Sequence, residues 1–333
     1  MRQFITKISL FFLAILICMI GLSVIHISDE FVIDTTHETS YKKLAWDITQ
    51  FHNPEKLNDA HVFIGPSLIR GDINDSILCA KGIKSVNMGI NRNGFDLDHY
   101  ITHRVLETSR PQKIYMYRPR EEGTLLHPMM PMLLSPFEYY DMFKQFPIVY
   151  IRKYVPKRIY FVIDYLLYSV FPGQSGFVPS AYGFRGEENQ SLTSEDYELF
   201  TVENELSLRE QFAQRAMDPA NASETEYAEE EIRYYYQGAS EPMRSLSMDM
   251  IKNAGIDVSE IYLPIYTDAL IADKTDKKVY FKMPRGYNYP CMSMNDYSFL
   301  NDPNLWFDLH HLNSNGAKMF TDSLVVQLKE QQN

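Results

Sequence analysis

Residues 306–328, WFDLHHLNSNGAKMFTDSLVVQL, decide the fold predicted for this chain. The first part of this stretch carries Asp308 and His311, and the second part places apolar side chains at helical spacing. Asn313 or Ser314 can cap the first turn of the helix. The stretch therefore predicts a loop that presents a histidine directly before a helix packed on a core. The predicted apolar stripe consists of Met319, Phe320, Leu324, Val325 and Leu328.

The spacing of Asp308 and His311 is suited to general-base chemistry. A carboxylate within reach fixes the tautomer of an imidazole and stabilises its charged form. Such a base needs a hydroxyl to activate, and the best candidate in the chain is Ser67. We expect Ser67, His311 and Asp308 to form a catalytic triad.

Ser67 follows a short apolar run, Ala60–Ile64, and a Gly65-Pro66 turn. The run predicts a buried strand, and open α/β sheets place their sites beyond the carboxyl ends of the strands. Serines after glycines are also common in turns for purely structural reasons. Residues 68–77 then predict a tight, charged segment.

Alternation of strands and helices continues along the chain. Further strands are predicted at 83–88, 113–117, 258–266 and 278–283, helices at 95–109 and 241–253, and a loop at 290–302. Leu246 is among the apolar residues expected on the inward face of the helix at 241–253. This alternation predicts a three-layer α/β/α domain over residues 58–333, built on a mainly parallel sheet. The alternation is interrupted at about 119–238, which predicts a large insertion between the third and fourth strands.

Three further residues are predicted at the edge of the sheet that carries Ser67. Gly89 ends the second strand, Asn91 follows it, and Arg118 follows the third strand. Backbone N–H groups at Ser67 and Gly89 are placed to bind a developing oxyanion. Gly89 could equally be an ordinary turn glycine, and Arg118 could bind an anion or hold its loop through an ion pair. We predict Gly89, Asn91 and Arg118 as oxyanion or substrate-binding residues.

The N-terminal segment predicts a membrane anchor. Residues 1–7 are basic, and residues 8–27 form an apolar run of about 20 residues, which matches one bilayer crossing. Basic residues on the short side predict a cytoplasmic N terminus and an extracytoplasmic remainder. The alternative is a cleaved signal peptide, but no clean small-x-small site precedes Asp29. We expect an anchor at 1–28 and a helical stalk at 29–57.

A second segment, Tyr154–Phe171, is rich in aromatic residues and interrupted by Asp164. It is too short and too charged to cross a bilayer. It is expected to lie on a membrane surface, to dock onto a membrane partner, or to form a buried helix of the insertion.

Composition excludes several classes of function. The net charge of −11 and the lack of a basic patch argue against nucleic-acid binding. Three cysteines among 333 residues, with no CxxC or HExxH pattern, form no metal site, and we expect no metal or cofactor. In an oxidising compartment Cys79 and Cys291 could pair, or both could remain buried thiols.

Several of these motifs together resemble the SGNH/GDSL hydrolase superfamily. Gly65-Pro66-Ser67 stands where that family has its Gly-Asp-Ser block, Asn87-Met88-Gly89 resembles its glycine block, and Asp308–Ala317 resembles its closing Asp-x-x-His block. The resemblance covers residues 58–118 and 240–330 and implies a flavodoxin-like SGNH fold. The asparagine block of the family, an oxyanion donor, has no clear match, and Asn91 or Arg118 is expected to replace it.

The anchor and the HLNxxGA pattern are similar to two membrane-anchored groups, the D-alanine-transfer proteins of teichoic acids and the alginate-type O-acetylation proteins. The resemblance implies a serine acyltransferase that works beside a membrane-bound O-acyltransferase on a cell-surface polysaccharide or teichoic-acid-like polymer. Two alternatives remain open. One is an esterase that hydrolyses acyl groups, and the other is a non-catalytic, polymer-binding partner of the membrane-bound enzyme.

Overall fold

The structure is a computed structural model. It describes residues 6–7, 10–11, 21–22, 24–36, 41–90, 94–117, 127, 129–135, 154–171, 244–263, 291–292, 299, 302–306 and 311–330. The chain divides into two compact units. The first unit comprises Met1–Ala45 and His127–Asn189, and the second unit comprises Trp46–Leu126 and Gln190–Asn333.

The second unit is built on a parallel five-stranded sheet. Its strands are β1 (His61–Gly65), β2 (Ser85–Gly89), β3 (Lys113–Tyr117), β4 (Asp257–Ile261) and β5 (Cys291–Met292), in the order β2-β1-β3-β4-β5. The predicted α/β class is thereby confirmed. Gly65 and Gly89 are direct partners in the register of β1 and β2, so both strands end at one edge of the sheet.

The described helices are numbered in chain order. They are α1 (Asp29–Thr36), α2 (Lys42–Phe51), α3 (Pro54–Leu57), α4 (Ser67–Asp72), α5 (Asp75–Ala80), α6 (Phe95–Thr108), α7 (Met130–Leu133), α8 (Val155–Val170), α9 (244–253) and α10 (Ser314–Glu330). A 3-10 turn covers Pro303–Leu305. The helical character predicted for residues 29–57 is confirmed by α1, α2 and α3.

The core beside the sheet confirms most of the predicted apolar stripe of α10. Phe320, Leu324 and Leu328 are buried in one cluster with Phe63 of β1 and Tyr115 of β3. The rings of Phe63 and Tyr115 stack with their centroids 4.8 Å apart. This packing places α10 on the same core that the strands face.

Two apolar residues depart from the predicted stripes. Met319 of α10 is 42% exposed, and Leu246 of α9 is 48% exposed. Both were expected to point inward. Helical spacing defines an apolar face only to within about one residue on either side, since that face is a broad stripe.

Three predictions of local structure are corrected. Residues 68–77 form α4 and the start of α5 in place of a tight segment, because buried side chains bind their backbone, as described below. β5 lies at Cys291–Met292, inside the predicted loop, and a strand of two residues has no periodicity to detect. Cys79 is a free, exposed thiol, so it is neither paired nor buried. The strand predicted at 278–283 lies outside the described residues.

Within the described ranges, none of the helices combines the length and the apolarity that a bilayer crossing requires. The predicted anchor at 8–27 is described only at residues 10–11, 21–22 and 24–27. The predicted insertion is described only at 127, 129–135 and 154–171.

Candidate active site

Ser67 is held at the edge of the sheet by an abrupt strand-to-helix transition. It is the first residue of α4, Pro66 is the residue before the helix, and Gly65 is the last residue of β1. A Cβ built on Gly65 would lie 2.5 Å from Tyr117 Cβ and 2.7 Å from Ile69 Cγ1, so only glycine fits there. Because Gly65 packs closely against Tyr117 and Ile69, the chain can pass directly from β1 into α4. The Ser67 side chain is half-buried.

The structure brings Ser67 and His311 together across 244 positions of sequence. Their Oγ and Nε2 atoms are 2.8 Å apart in a partly buried setting. This is the distance at which a hydroxyl donates to an unprotonated imidazole nitrogen and can pass its proton to it. The candidate nucleophile and the candidate base are therefore in hydrogen-bond contact.

The loop that carries His311 is fixed by its neighbours on both sides. Leu312 donates its N–H to Asp72 Oδ1 of α4 at 3.1 Å, and Asn313 donates its N–H to the Leu305 carbonyl at 2.9 Å. Leu312 also forms an antiparallel bridge with Trp306, and both side chains are fully buried. The His311 side chain therefore extends from a short segment that hydrogen bonds hold in place.

The start of α10 is capped by Asn313, one of the two predicted capping residues. Its Oδ1 accepts the N–H groups of Asn315 at 3.1 Å and Gly316 at 3.0 Å. A Cβ on Gly316 would lie 2.0 Å from the Leu305 carbonyl oxygen. The helix can therefore approach the Pro303–Leu305 turn only because this position is glycine.

Asn87 of β2 holds α4 in place. Its Nδ2 donates to the carbonyls of Ile69 at 2.7 Å and Ile73 at 2.6 Å. Its own N–H is donated to Asp75 Oδ2 at 2.9 Å. One buried amide therefore binds both α4 and the junction between α4 and α5, where the carbonyls lack intrahelical partners.

Gly89 serves close packing in the structure. A Cβ at this position would lie 2.3 Å from Arg70 N and 2.8 Å from Arg70 Cα, so glycine lets β2 pack directly against α4. The Gly89 N–H, predicted as an oxyanion donor, is donated to Asn87 Oδ1 at 2.9 Å. The amide therefore already has an acceptor within the protein.

The remaining predicted site residues, Asp308, Asn91 and Arg118, lie outside the described residues. The Ser67 N–H belongs to the first turn of α4, where helical N–H groups have no intrahelical acceptor. Within the described ranges, no cluster of three or more His, Cys, Asp or Glu side chains could hold a metal ion.

Asp72 is the site residue that sequence reasoning missed. It is fully buried, it ends the helix that Ser67 begins, and its carboxylate binds the loop beside His311. Thr321 of α10 adds a second tie, since its Oγ1 donates to the Asp72 carbonyl at 3.4 Å and accepts the Asn74 N–H at 3.0 Å. An aspartate in a charged segment gives no sequence signal for such a role, because the partner is 240 residues away.

Comparisons of the chain with protein-family models, with curated proteins and with solved structures find no match. The contact between Ser67 and His311 and the fold around it are therefore the main indications of function.

Proposed function

We propose that this chain is a membrane-anchored serine acyltransferase of the SGNH type, acting in O-acetylation or D-alanylation of a cell-surface polymer. The observation that carries the proposal is the 2.8 Å contact between Ser67 Oγ and His311 Nε2. The contact lies at the carboxyl edge of a parallel sheet whose strand order, 2-1-3-4-5, is that of flavodoxin-like folds. That order is the one expected of a three-layer SGNH domain.

The first half of the reaction acylates the serine. His311 Nε2 takes the Ser67 proton as Oγ attacks the carbonyl carbon of an acyl donor, giving a tetrahedral intermediate. The intermediate collapses when the bond to the donor's leaving group breaks, and that group takes the proton from His311. The product is an ester between the acyl group and Ser67 Oγ.

The second half transfers the acyl group to the polymer. His311 takes the proton of a sugar or polyol hydroxyl as that oxygen attacks the ester carbonyl. The bond to Ser67 Oγ breaks, and the serine regains its proton from His311. Asp308 is proposed to accept from the other imidazole nitrogen and so to stabilise the charged histidine in both halves.

The oxyanion needs donors that are not already satisfied. The Ser67 N–H, in the first turn of α4, is one proposed donor, and Asn91 and Arg118 remain proposed as the others. Gly89 could serve only by giving up its bond to Asn87 Oδ1. We therefore assign Gly89 a packing role and keep its N–H out of the mechanism.

The acyl donor is proposed to be a membrane-bound O-acyltransferase, and the acceptor an extracytoplasmic polysaccharide or teichoic-acid-like polymer. The apolar run at 8–27 would place the catalytic domain on that side of the membrane. With water in place of the polymer hydroxyl the same steps describe an esterase, since both acceptors use the same base.

A second candidate function is a non-catalytic partner that keeps the fold and binds the polymer. It is favoured by the engaged Gly89 N–H, which removes one predicted donor from the oxyanion site. The candidates differ in whether Ser67 is reactive.

Fluorophosphonate labelling of the full chain tests this difference. The triad predicts one covalent adduct, detected by intact-protein mass, that disappears in Ser67→Ala. Ser323→Ala is the matched control, because Ser323 is a partly exposed serine whose hydroxyl donates to the Met319 carbonyl. An adduct that persists in Ser67→Ala, or no adduct on the unmodified chain, contradicts the acyltransferase and favours the non-catalytic partner.

A further inference from the structure

α8 presents a continuous apolar stripe to the surroundings of the first unit. Five large apolar side chains are between 40% and 67% exposed. They are Ile163, Leu166, Leu167, Val170 and Phe171. The spacing of three and four residues puts Ile163, Leu166, Leu167 and Val170 on one face of the helix, and Phe171 follows directly after its last residue. Contiguous apolar patches of this kind mark interaction surfaces, whereas single exposed leucines are ordinary.

The opposite face of α8 is firmly packed inside the first unit. Phe161 and Val162 are fully buried, and Arg158 donates to the carbonyls of Pro131 and Met132, both at 3.0 Å. The ring of Phe31 in α1 makes edge contacts with Tyr165 and Tyr168 of α8, with ring centroids 5.4 and 5.1 Å apart. The packing of α8 within the first unit therefore does not bury the stripe residues.

The charges of α8 favour a lipid bilayer as the occupant of this stripe. The only carboxylate of the helix, Asp164, is buried, so no acidic side chain of α8 lies among the stripe residues. Lys157 lies in the first turn, where a cation can reach lipid phosphates. An apolar face that carries no acidic residue and has a basic residue in its first turn is typical of helices that lie in the membrane interface.

The length of α8 fits the same environment. Its 16 residues measure about 24 Å, which is shorter than the roughly 30 Å hydrocarbon core of a bilayer. The helix cannot cross the membrane, but it can lie along it.

A contact within the first unit places α8 beside the end of the predicted anchor. Arg158 donates to the carbonyl of Ile25, two residues before the apolar run at 8–27 ends. The point at which that run would leave the bilayer therefore lies against the first turns of α8.

We propose that α8 lies along the membrane surface, with the stripe inserted at the boundary between headgroups and acyl chains. The inference rests on the anchor of the proposed function but does not require Ser67 to be catalytic. The bound surface is lipid, recognised by apolar contact and by basic charge, and a protein partner at the same stripe is an outcome that the test separates.

The test uses the full chain in vesicles of phosphatidylethanolamine and phosphatidylglycerol. Cys18, Cys79 and Cys291 are changed to serine, and an environment-sensitive dye is attached at Val170→Cys. The matched control carries the dye at Ser169→Cys, because Ser169 is also exposed on α8 but lies off the stripe. Leu167→Cys is a second stripe position in case the first label disturbs folding, which circular dichroism checks.

We expect a blue-shifted emission at 170 and 167, and quenching by a nitroxide-labelled lipid that is roughly twofold stronger than at 169. Two results overturn the proposal. One is water-like emission at both stripe positions, and the other is a blue shift without lipid quenching that needs another membrane protein. The same measurement in a Ser67→Ala background must give the same result, which separates this inference from the fate of the proposed chemistry.

Discussion

The two units differ in how many of their large apolar side chains are exposed to solvent. Among the described residues, eleven large apolar side chains are exposed, and eight of these belong to the first unit. In the second unit the three exposed ones, Leu246, Met319 and Val326, occur singly on helices. Since apolar exposure costs free energy in water, the difference supports the proposed contact between the first unit and lipid.

The second unit uses its buried polar groups to fix geometry. Asn87 and Asp72 hold α4 and the His311 loop, and a buried ion pair joins Arg244 to Glu260 at 2.8 Å. Buried polar groups of this kind are costly unless satisfied, so they specify one arrangement. The buried polar groups of the second unit hold the proposed catalytic site, whereas the exposed apolar side chains of the first unit form the proposed lipid-binding surface.

The largest effect is expected at Ser67, the proposed nucleophile of the second unit. Ser67→Ala should lower acyl transfer by at least about 10³-fold, since Ser67 Oγ is the atom proposed to carry the ester. Product formation on a polymer fragment, followed by mass spectrometry, measures the loss. The lipid contact of α8 should not change in this variant. If it does, the two units are not functionally separate.

The next effect concerns close packing in the second unit. Gly89→Ala should reduce the free energy of unfolding by about 3 kcal/mol, because the new Cβ would meet backbone atoms of α4. Urea unfolding followed by tryptophan fluorescence reports on this unit, since Trp46 and Trp306 both belong to it. Gly71→Ala is the control on α4 itself, because its nearest neighbour, His311 Cδ2, is 4.0 Å away. Equal losses in both variants would contradict the packing role.

A smaller effect is expected where the carboxylate of Asp72 positions the His311 loop. Asp72→Ala leaves the Leu312 N–H without this acceptor, at a cost of about 1–3 kcal/mol, and should slow Ser67 labelling by about 10-fold or more. Asp72→Asn keeps an acceptor oxygen and should restore most of the rate. An asparagine variant as slow as the alanine variant would show that the charge, and not the hydrogen bond, matters.

The smallest effect is a pH dependence of opposite sign in the two units. In the second unit, burial and the nearby His103 lower the pKa of His99 to about 4. Between pH 6.5 and about 4, His99 is therefore protonated in the unfolded chain and neutral in the folded chain. Because the unfolded state binds more protons, the free energy of unfolding of this unit decreases as the pH falls. In the first unit, burial raises the pKa of Asp164 to about 6. Folded Asp164 binds the proton first, so this unit gains stability as the pH falls from about 6 to 4.

Each contribution should be on the order of 1 kcal/mol after screening by solvent. Hydrogen exchange of peptides from α6 and α8, corrected for intrinsic rates, measures the two units separately. Asp164→Asn should remove the pH dependence of α8 and leave that of α6 in place. Parallel slopes in the two peptides would contradict the assignment.

Local patterns in the sequence were sufficient to predict the parts of this fold that local physics determines. The runs AHVFI and KIYMY gave β1 and β3, and the apolar spacing of residues 320–328 gave the buried face of α10. The pairing of Ser67 with His311 was also predictable. Ser67 follows a predicted buried strand, and His311 follows Asp308 by three positions, directly before a predicted helix. In each case a few neighbouring residues carry the information.

The rest depends on partners that lie far away in sequence. Asp72 and Asn87 act through Leu312 and through the carbonyls of Ile69 and Ile73, which no spacing rule connects to them. Gly89 illustrates the same limit, since the close approach of Arg70 and the acceptor at Asn87 decide its role. The segment that forms α8 was expected on a membrane surface, on a membrane partner or in a buried helix, and only the packing of one face shows which side remains exposed.

The contact between residues 67 and 311 also has a consequence for how the protein is made. The proposed nucleophile, Ser67, is synthesised well before its proposed base, His311, and before α10, which follows His311 in the sequence. Closing so long a loop is slow and depends on the intervening chain having emerged. A nascent or truncated chain that stops before α10 would therefore carry an inert serine, and reactivity would switch on only after translation has passed the histidine.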